Sequence, residues 1–438
     1  FDKADQAFVK ALEIDPEFEV VLLNRARNKI AAGDLDGAQK LFEHALDANP
    51  ENTTALLGLA QLAAQKSDRQ KQLDYLDKII AIQPSNVIAA SQLAEIYIGK
   101  NEPLKALTLL SGISDEQAKN PVVLRLKGMA QISARQTSSA ISTLNQLVRQ
   151  LPDNIEANFQ LGRAYLLNNE IDSAKRHFAH ATMQDPEIKY PIVWLALAEV
   201  ALKQNAYDEV ISTTDKLLDA NQQVATVYEL RAAAYQGLGK TTDLLASLKQ
   251  AYVLEPNSKR VNTLASFYQK NGHTNKAIEL MSEWVNKHPD DAATQSILGL
   301  TYQQQGQDSL AIKAYEASLA KQADNAVIMN NLAWLYHKTG DTRAIGLAKE
   351  AYEKAQKRPE IVDTYGWILL ENGQAEKALP ILQQALLQSP SHPEIAYHVA
   401  VAMQQLGRMQ EAKPILNRII RNSPSSAFAE KARQLLAK

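Results

Sequence analysis

Aromatic and acidic side chains recur about once every 33 residues near the end of the chain, as in Trp334 and Trp367 or Glu360 and Glu394. Aromatic rings supply large contact areas at low cost in conformational entropy and dominate binding hot spots. Flat rings beside carboxylates could also stack on sugar faces while the acids accept hydroxyl hydrogen bonds. The pattern predicts a ligand-binding strip formed by Asn330, Trp334, His337, Glu360, Asp363, Trp367, Glu394 and Tyr397. The alternative interpretation is that both tryptophans only fill space between neighbouring helices.

Other patterns that could carry chemistry are weak. His177 and His180 are three residues apart and could form half of a metal site, but no third ligand accompanies them, so we interpret them as surface histidines. The chain has no cysteine, which excludes disulfides, thiolate metal sites and a cysteine nucleophile. The glycines form no phosphate-binding loop, and the serines and histidines form no hydrolase motif. We therefore predict that the chain is not an enzyme and has no cofactor and no metal.

The composition of the chain limits the classes of partner that it is expected to bind. The formal net charge is −2, which does not fit the basic surface of a nucleic-acid binder. No apolar run approaches the ~18 residues of a membrane span, and no signal peptide is recognisable. Absence of cysteine is compatible with both a cytoplasmic and a periplasmic protein.

The elements that would position the strip follow one period. Pro16, Pro50 and Pro84 are 34 residues apart. With that period, and slips of one or two residues, the eighth position is Ala or Gly in all twelve units. Small residues at one place let two helices approach to near the short end of the ~8–10 Å range. The units begin at residues 19, 53, 87, 121, 155, 191, 225, 258, 292, 326, 359 and 393.

Each unit is predicted to contain two helices. Position 15 is Gly or Asn in ten units, and these residues tolerate the left-handed backbone that ends a helix. Helix A is predicted over about positions 1–14 and helix B over about positions 16–30. The unit that begins at Ala326 lacks one residue after Gly340, so a shifted helix B is expected there.

These positions resemble the tetratricopeptide repeat (TPR) family, most completely in IEANFQLGRAYLLNNEIDSAKRHFAHATMQDPEI, residues 155–188. The resemblance implies an all-α, right-handed superhelix, an α-solenoid of about twelve helix–turn–helix repeats. It also implies that A helices line a concave groove that holds a protein or peptide partner. At positions 5, 9 and 12, read as the groove face, the last three units supply most of the strip. The Lys and Asn clamp with which some TPR adaptors bind a carboxylate is not reproduced.

The two ends of the chain differ from the units between them. Residues 1–18 match only position 17 onward and are predicted to be a half repeat, a helix B without its helix A. Because such an end lacks a polar capping face, we expect the natural protein to continue upstream with more repeats. Residues 19–426 hold the twelve units, and residues 427–438 are predicted to be a capping helix with Phe428, Ala432 and Leu435 on one face.

The last units also resemble, in NNLAWLY (330–336) and DTYGWILLENGQAEKALPILQQAL (363–386), bacterial TPR lipoproteins that accompany exosortase/PEP-CTERM and exopolysaccharide gene clusters. That resemblance implies a periplasmic scaffold, anchored to the outer membrane through a missing upstream region, with a polysaccharide as an alternative ligand. Two other classes remain open: a cytoplasmic scaffold or regulator that binds a protein partner, and the repeat portion of a larger enzyme such as a glycosyltransferase. The partner and the oligomeric state are not specified by the sequence.

Overall fold

The computed structural model describes residues 2–437, with side chains from residue 4 onward. Phe1 and Lys438, the outermost residues of the predicted half repeat and capping helix, lie outside this range. Within it the chain forms 26 α-helices, one short 3-10 helix at Gln117–Lys119, and no strand, which confirms the predicted all-α repeat fold. None of the helices in residues 2–437 combines the length and the apolar character that crossing a membrane requires.

The chain divides into two compact units, Phe1–Thr241 and Thr242–Lys438. The first unit contains, in chain order, α1 (Asp2–Ile14), α2 (Glu19–Ala31), α3 (Leu35–Ala48), α4 (Thr53–Gln65), α5 (Arg69–Ile82), α6 (Val87–Gly99), α7 (Pro103–Ser111), α8 (Pro121–Ser133), α9 (Thr137–Gln150), α10 (Ile155–Leu167), α11 (Ile171–Met183), α12 (Pro191–Lys203), α13 (Tyr207–Asp219) and α14 (Ala225–Gly237).

The second unit begins one residue into α15. It contains α15 (Thr241–Leu254), α16 (Ser258–Lys270), α17 (Thr274–Lys287), α18 (Ala292–Gln304), α19 (Asp308–Lys321), α20 (Ala326–Thr339), α21 (Ala344–Lys354), α22 (Pro359–Glu371), α23 (Ala375–Gln388), α24 (Pro393–Gln405), α25 (Met409–Asn422) and α26 (Ala427–Leu436).

Within each of the two compact units, consecutive helices stack in pairs. Short turns make the two helices of a pair antiparallel neighbours, from α2 and α3 to α12 and α13 in the first unit and from α16 and α17 to α24 and α25 in the second. The second helix of each of these pairs also contacts the helix that follows it. First helices of neighbouring pairs touch directly, as α20 touches α22 and α22 touches α24. At the end of the chain α26 contacts both α24 and α25, and it buries Ala432 and Leu435 against them.

The turns within the pairs share one backbone conformation. The residue at position 15 has a positive φ in all twelve, between 57° and 81° for the glycines and asparagines. Ser67 and Arg135, which have φ of 58° each, show that the turn imposes this conformation even on residues that pay a steric penalty for it. The left-handed residue lets the chain reverse and satisfy the last carbonyls of the preceding helix.

Small residues set the distance between the two helices of a pair. A Cβ placed on Gly162 would lie 2.5 Å from Cε1 of Phe178, and one on Gly366 would lie 2.7 Å from Cδ2 of Leu382. Phe178 and Leu382 belong to the second helices of the same pairs and are fully buried. The absence of a side chain in the first helix therefore makes room for a large one in the second.

The pair α20/α21 departs from this regularity, as expected from its lost residue. Second helices elsewhere begin sixteen residues after the first helix begins, whereas α21 begins two residues later and has only 11 residues. Arg343 occupies the lengthened turn, where its guanidinium contacts Asp341 at 2.7 Å and Glu316 at 2.9 Å. The prediction of a shifted second helix is confirmed.

Candidate functional site

Three first helices, α20, α22 and α24, lie side by side, and each begins at a residue suited to a helix N-terminus. The side chain of Asn325 accepts hydrogen bonds from the backbone N–H groups of Val327 and Ile328 and so caps α20. Pro359 and Pro393 are the first residues of α22 and α24, where proline suits the helix because no N–H partner is needed. The start of each helix sets the register of the side chains that belong to the predicted ligand-binding strip.

A cavity of about 540 Å³ opens between α20, α22, α24 and the turn before α24. Its volume falls in the range of roughly 300–1,000 Å³ that is usual for ligand-binding clefts. Five of the eight predicted strip residues line it: Trp334, Glu360, Asp363, Trp367 and Glu394. The remaining lining residues are Pro359, Thr364, Ser389, His392, Ile395 and His398.

The two tryptophans contribute differently to this cavity. Trp334 is 38% exposed, and its nearest ring neighbour is His337, with ring centroids 5.9 Å apart. Trp367 is partly buried, packs against the hydrophobic cluster formed by α22 to α26, and stacks on His398 with ring centroids 3.9 Å apart. Trp334 thus offers its face to solvent, whereas Trp367 is held rigidly by packing.

Asp363 and His398 form a buried pair at the floor of the cavity. Each residue is 7% exposed, and Nδ1 of His398 lies 3.0 and 2.9 Å from the two carboxylate oxygens of Asp363. The carboxylate oxygens accept, so Nδ1–H of His398 is the donor, and in the tautomer protonated on Nδ1 alone Nε2 is an acceptor. Asp363, which the sequence assigned to the strip, lines the cavity, and its carboxylate is hydrogen-bonded to His398.

Glu360 and Glu394 supply the accessible negative charge. Glu360 is exposed, and its carboxylate lies 3.9 Å from the guanidinium of Arg358, too far for a hydrogen bond. Glu394 is half-buried, and its carboxylate has no hydrogen-bond or ion-pair partner among residues 4–437. Both side chains therefore remain available to a ligand.

Three residues of the predicted ligand-binding strip, and one residue of the predicted groove face, lie outside the cavity. Asn330, His337 and Tyr397 do not line the cavity. Tyr397 packs against Phe428 with ring centroids 5.8 Å apart, and burial raises the pKa of its phenol. Leu370, which was assigned to the groove as position 12 of its unit, is 1% exposed and belongs to the core, so that assignment is wrong.

Sequence reasoning missed His398, the residue that connects the tryptophan to the acid. It is position 6 of its unit, a position not included in the predicted groove face, and it follows Asp363 by 35 residues. One period plus one residue places it on the next first helix, directly beside Asp363. The sequence signal that could have identified His398 is an acid at position 5 of one unit followed by a histidine at position 6 of the next.

The structure gives the two spaced histidines separate partners. His177 lies 3.0 Å from the side-chain oxygen of Asn158, and His180 lies 3.1 Å from Asp153. In the part of the chain that the structure describes, no group of three or more His, Cys, Asp or Glu residues is arranged to bind a metal ion.

Comparison with solved structures finds several proteins described as tetratricopeptide repeat proteins. A tetratricopeptide repeat protein from Parabacteroides merdae is 16% identical, covers 57% of this chain and 98% of its own, and has a TM-score of 0.44. The C-terminal part of a TPR repeat-containing protein from Cytophaga hutchinsonii is 15% identical, with coverages of 54% and 98% and a TM-score of 0.43. YrrB, described as a TPR protein with an unusual peptide-binding site, is 19% identical, with coverages of 43% and 96% and a TM-score of 0.39.

Family models identify repeats in three segments. No curated protein matches the chain significantly. Two tetratricopeptide repeat models match, one over residues 23–87 and the other over residues 131–190 and 369–438. These segments fall on helix pairs of the kind described above, with small residues between the helices and a left-handed turn. Segments that match tetratricopeptide repeat models therefore occur in both compact units.

Proposed function

We propose that the chain is a non-enzymatic scaffold that binds an extended segment of a partner protein through the cavity between α20, α22 and α24. The observation that carries the proposal is the grouping of Trp334, Trp367, Glu360 and Glu394 around one cavity. Tryptophan is enriched among the residues that contribute most to binding at protein interfaces. We further propose that this cavity belongs to the concave face of the repeats.

The dimensions suit a short peptide. First helices in contact lie about 8–10 Å apart, so three of them span roughly 16–20 Å. An extended chain rises about 3.3 Å per residue, so about six residues would cross the cavity. Trp367 is already immobilised by its stacking on His398, so little side-chain freedom remains to be lost when a ligand binds.

A peptide-display experiment tests this proposal. The chain is used to select binders from a random dodecapeptide library, and the selected peptides are titrated calorimetrically against the unaltered chain and Trp334→Ala. We expect Trp334→Ala to weaken binding at least about tenfold, as for a hot-spot residue. Tyr190→Ala is the control, because Tyr190 is a comparably exposed aromatic residue, 53% exposed, outside the cavity.

Two results would contradict the proposal. If Tyr190→Ala weakened binding as much as Trp334→Ala, the cavity would not be the binding site. If instead the selected peptides bound unchanged to Trp334→Ala, the tryptophan would be a packing residue. A polysaccharide is a second candidate ligand, since the exposed ring of Trp334 lies beside the cavity that Glu360 lines; oligosaccharide binding that requires Trp334, without any peptide binding, would favour it.

For the biological process we propose a periplasmic scaffold in bacterial exopolysaccharide assembly or export, or in sorting of cell-surface proteins. The support is the resemblance of residues 330–336 and 363–386 to TPR lipoproteins of such gene clusters. Incorporation of a radiolabelled fatty acid into the protein produced from its natural gene tests the anchor. Labelling would support the periplasmic scaffold, absence of labelling together with a cytoplasmic location would favour a cytoplasmic regulator, and a fused glycosyltransferase domain would favour the enzyme.

A further inference from the structure

The charges that line the cavity between α20, α22 and α24 all have one sign. Glu360, Asp363 and Glu394 line it, and no Lys or Arg does. The guanidinium nearest to these acids, that of Arg358, remains 3.9 Å from Glu360. Glu394 has no partner among residues 4–437. An anionic ligand would be repelled here, whereas a cation would gain from the carboxylates of Glu360 and Glu394.

A second feature of the cavity is the imidazole of His398. The residue lines the cavity and is more than nine-tenths buried, and its Nδ1 is committed to Asp363. Nε2 has no hydrogen-bond partner in the part of the chain that the structure describes. In the tautomer whose Nδ1–H donates to Asp363, Nε2 is a hydrogen-bond acceptor. The ligand atom that suits this position is therefore an N–H or O–H donor.

The aromatic walls favour one kind of donor. Trp334 and Trp367 both line the cavity, and tryptophan is the best aromatic partner for a cation. A guanidinium group carries five N–H donors and no acceptor, is weakly hydrated and stacks on aromatic faces. An ammonium group is more strongly hydrated and lacks a flat face. Among the cationic side chains of proteins, arginine matches the carboxylates, the free nitrogen and the rings together.

We propose that the cavity between α20, α22 and α24 recognises an arginine side chain of the partner segment. The proposal rests on the proposed function, since it names the residue that the bound segment presents. The guanidinium lies between the indoles, donates to Glu360 and Glu394, and satisfies Nε2 of His398. Trp334 and the two glutamates are contacts to the ligand, whereas Asp363 is a positioning residue that keeps the proton of His398 on Nδ1.

Two synthetic peptide pools test this proposal. Both are dodecapeptides with random flanks; one has arginine at the centre, and the other has citrulline, its uncharged isostere. Immobilised chain captures each pool, and the retained peptide is quantified by mass spectrometry. We expect the chain to retain about tenfold more of the arginine pool, as for one charge-assisted bidentate contact, with the ratio shrinking as salt is added. Glu360→Gln and Glu394→Gln should each lower the ratio, and together bring it near one.

The controls separate failure of the arginine proposal from failure of the proposed function. Glu371→Gln, an exposed residue of α22 outside the cavity, should leave the ratio unchanged, and circular dichroism confirms that every variant is folded. Equal retention of both pools, abolished by Trp334→Ala, would overturn the arginine proposal and leave peptide binding intact. Retention of neither pool, or retention that Trp334→Ala does not alter, would overturn both.

Discussion

At the scale of single residues, Trp334 and Trp367, which occupy the same position of neighbouring repeats, have different roles. Trp367 is anchored by the C-terminal hydrophobic cluster and by His398, whereas Trp334 leaves more than a third of its surface exposed. Trp367 therefore partly fits the interpretation that the tryptophans fill space between helices. Trp334 fits the interpretation that they contact a ligand. An anchored ring and an accessible ring around one cavity form a site whose shape is set before a ligand arrives.

Removal of the buried carboxylate should loosen α22 and α24. In Asp363→Ala the imidazole of His398 loses the carboxylate that accepts its Nδ1–H while the ring stays buried, which we expect to lower the local unfolding free energy by about 2 kcal/mol. Amide hydrogen exchange in α22 and α24 measures this, because local stability need not equal global stability in a repeat array. The matched control Glu371→Ala should change it by no more than about 0.5 kcal/mol. Equal protection in both variants would show that the pair contributes no stability.

His177 should make the stability of the chain depend on pH. Burial is the main cause that lowers the pKa of His177 below its ordinary value, so the folded state disfavours the imidazolium. Between that lowered pKa and the unfolded value of about 6.5, the unfolded chain binds more protons, so the free energy of unfolding falls as pH falls. The urea midpoint of the unaltered chain should decrease more than that of His177→Gln between pH 7.5 and 5.5. Parallel decreases in the two proteins would contradict this assignment.

At the scale of helices, the sequence carries most of the information, because local rules suffice. The eighth-position glycines and alanines predict close helix pairs, and the structure shows why: Phe178 fills the space that Gly162 leaves. The Gly and Asn residues of position 15 predict the turns, and all twelve are left-handed. The shifted α21 follows from one lost residue. Periodicity did not reveal that Leu370 is core, since burial there depends on how α22 meets α23 and α24.

The least suited turn residue gives a test at this scale. Arg135 adopts φ of 58°, a conformation that costs a residue with a Cβ about 1–2 kcal/mol. Arg135→Gly removes that cost but makes the unfolded chain more flexible, so we expect a net stabilisation of about 0.5–1 kcal/mol. Thermal unfolding followed by circular dichroism measures it. Gly306→Ala, at the same position of another unit with φ of 71°, should be destabilised by about 1 kcal/mol; stabilisation by both substitutions would contradict the argument.

At the scale of the whole molecule, the site depends on contacts between units that are far apart in sequence. Positions 5 and 9 of the groove face predicted the lining residues Trp334, Asp363 and Trp367, and the recurring acids Glu360 and Glu394 added two more. They did not predict His398 or the turn residues Ser389 and His392, because their approach depends on the spacing of α22 and α24 rather than on any one unit. We propose that the half repeat, the twelve units and the capping helix act as one scaffold, with this cavity as its specific contact.

Hydrogen exchange with and without bound peptide tests the central claim most directly. Peptides captured by the immobilised chain are added in excess, and amide protection is measured along the whole chain. The account predicts new protection in α20, α22, α24 and the turn around Ser389 and His392, and none of it in Trp334→Ala. Protection confined to other first helices, such as α4 or α10, or protection that persists in Trp334→Ala, would contradict the assignment of this cavity as the binding site.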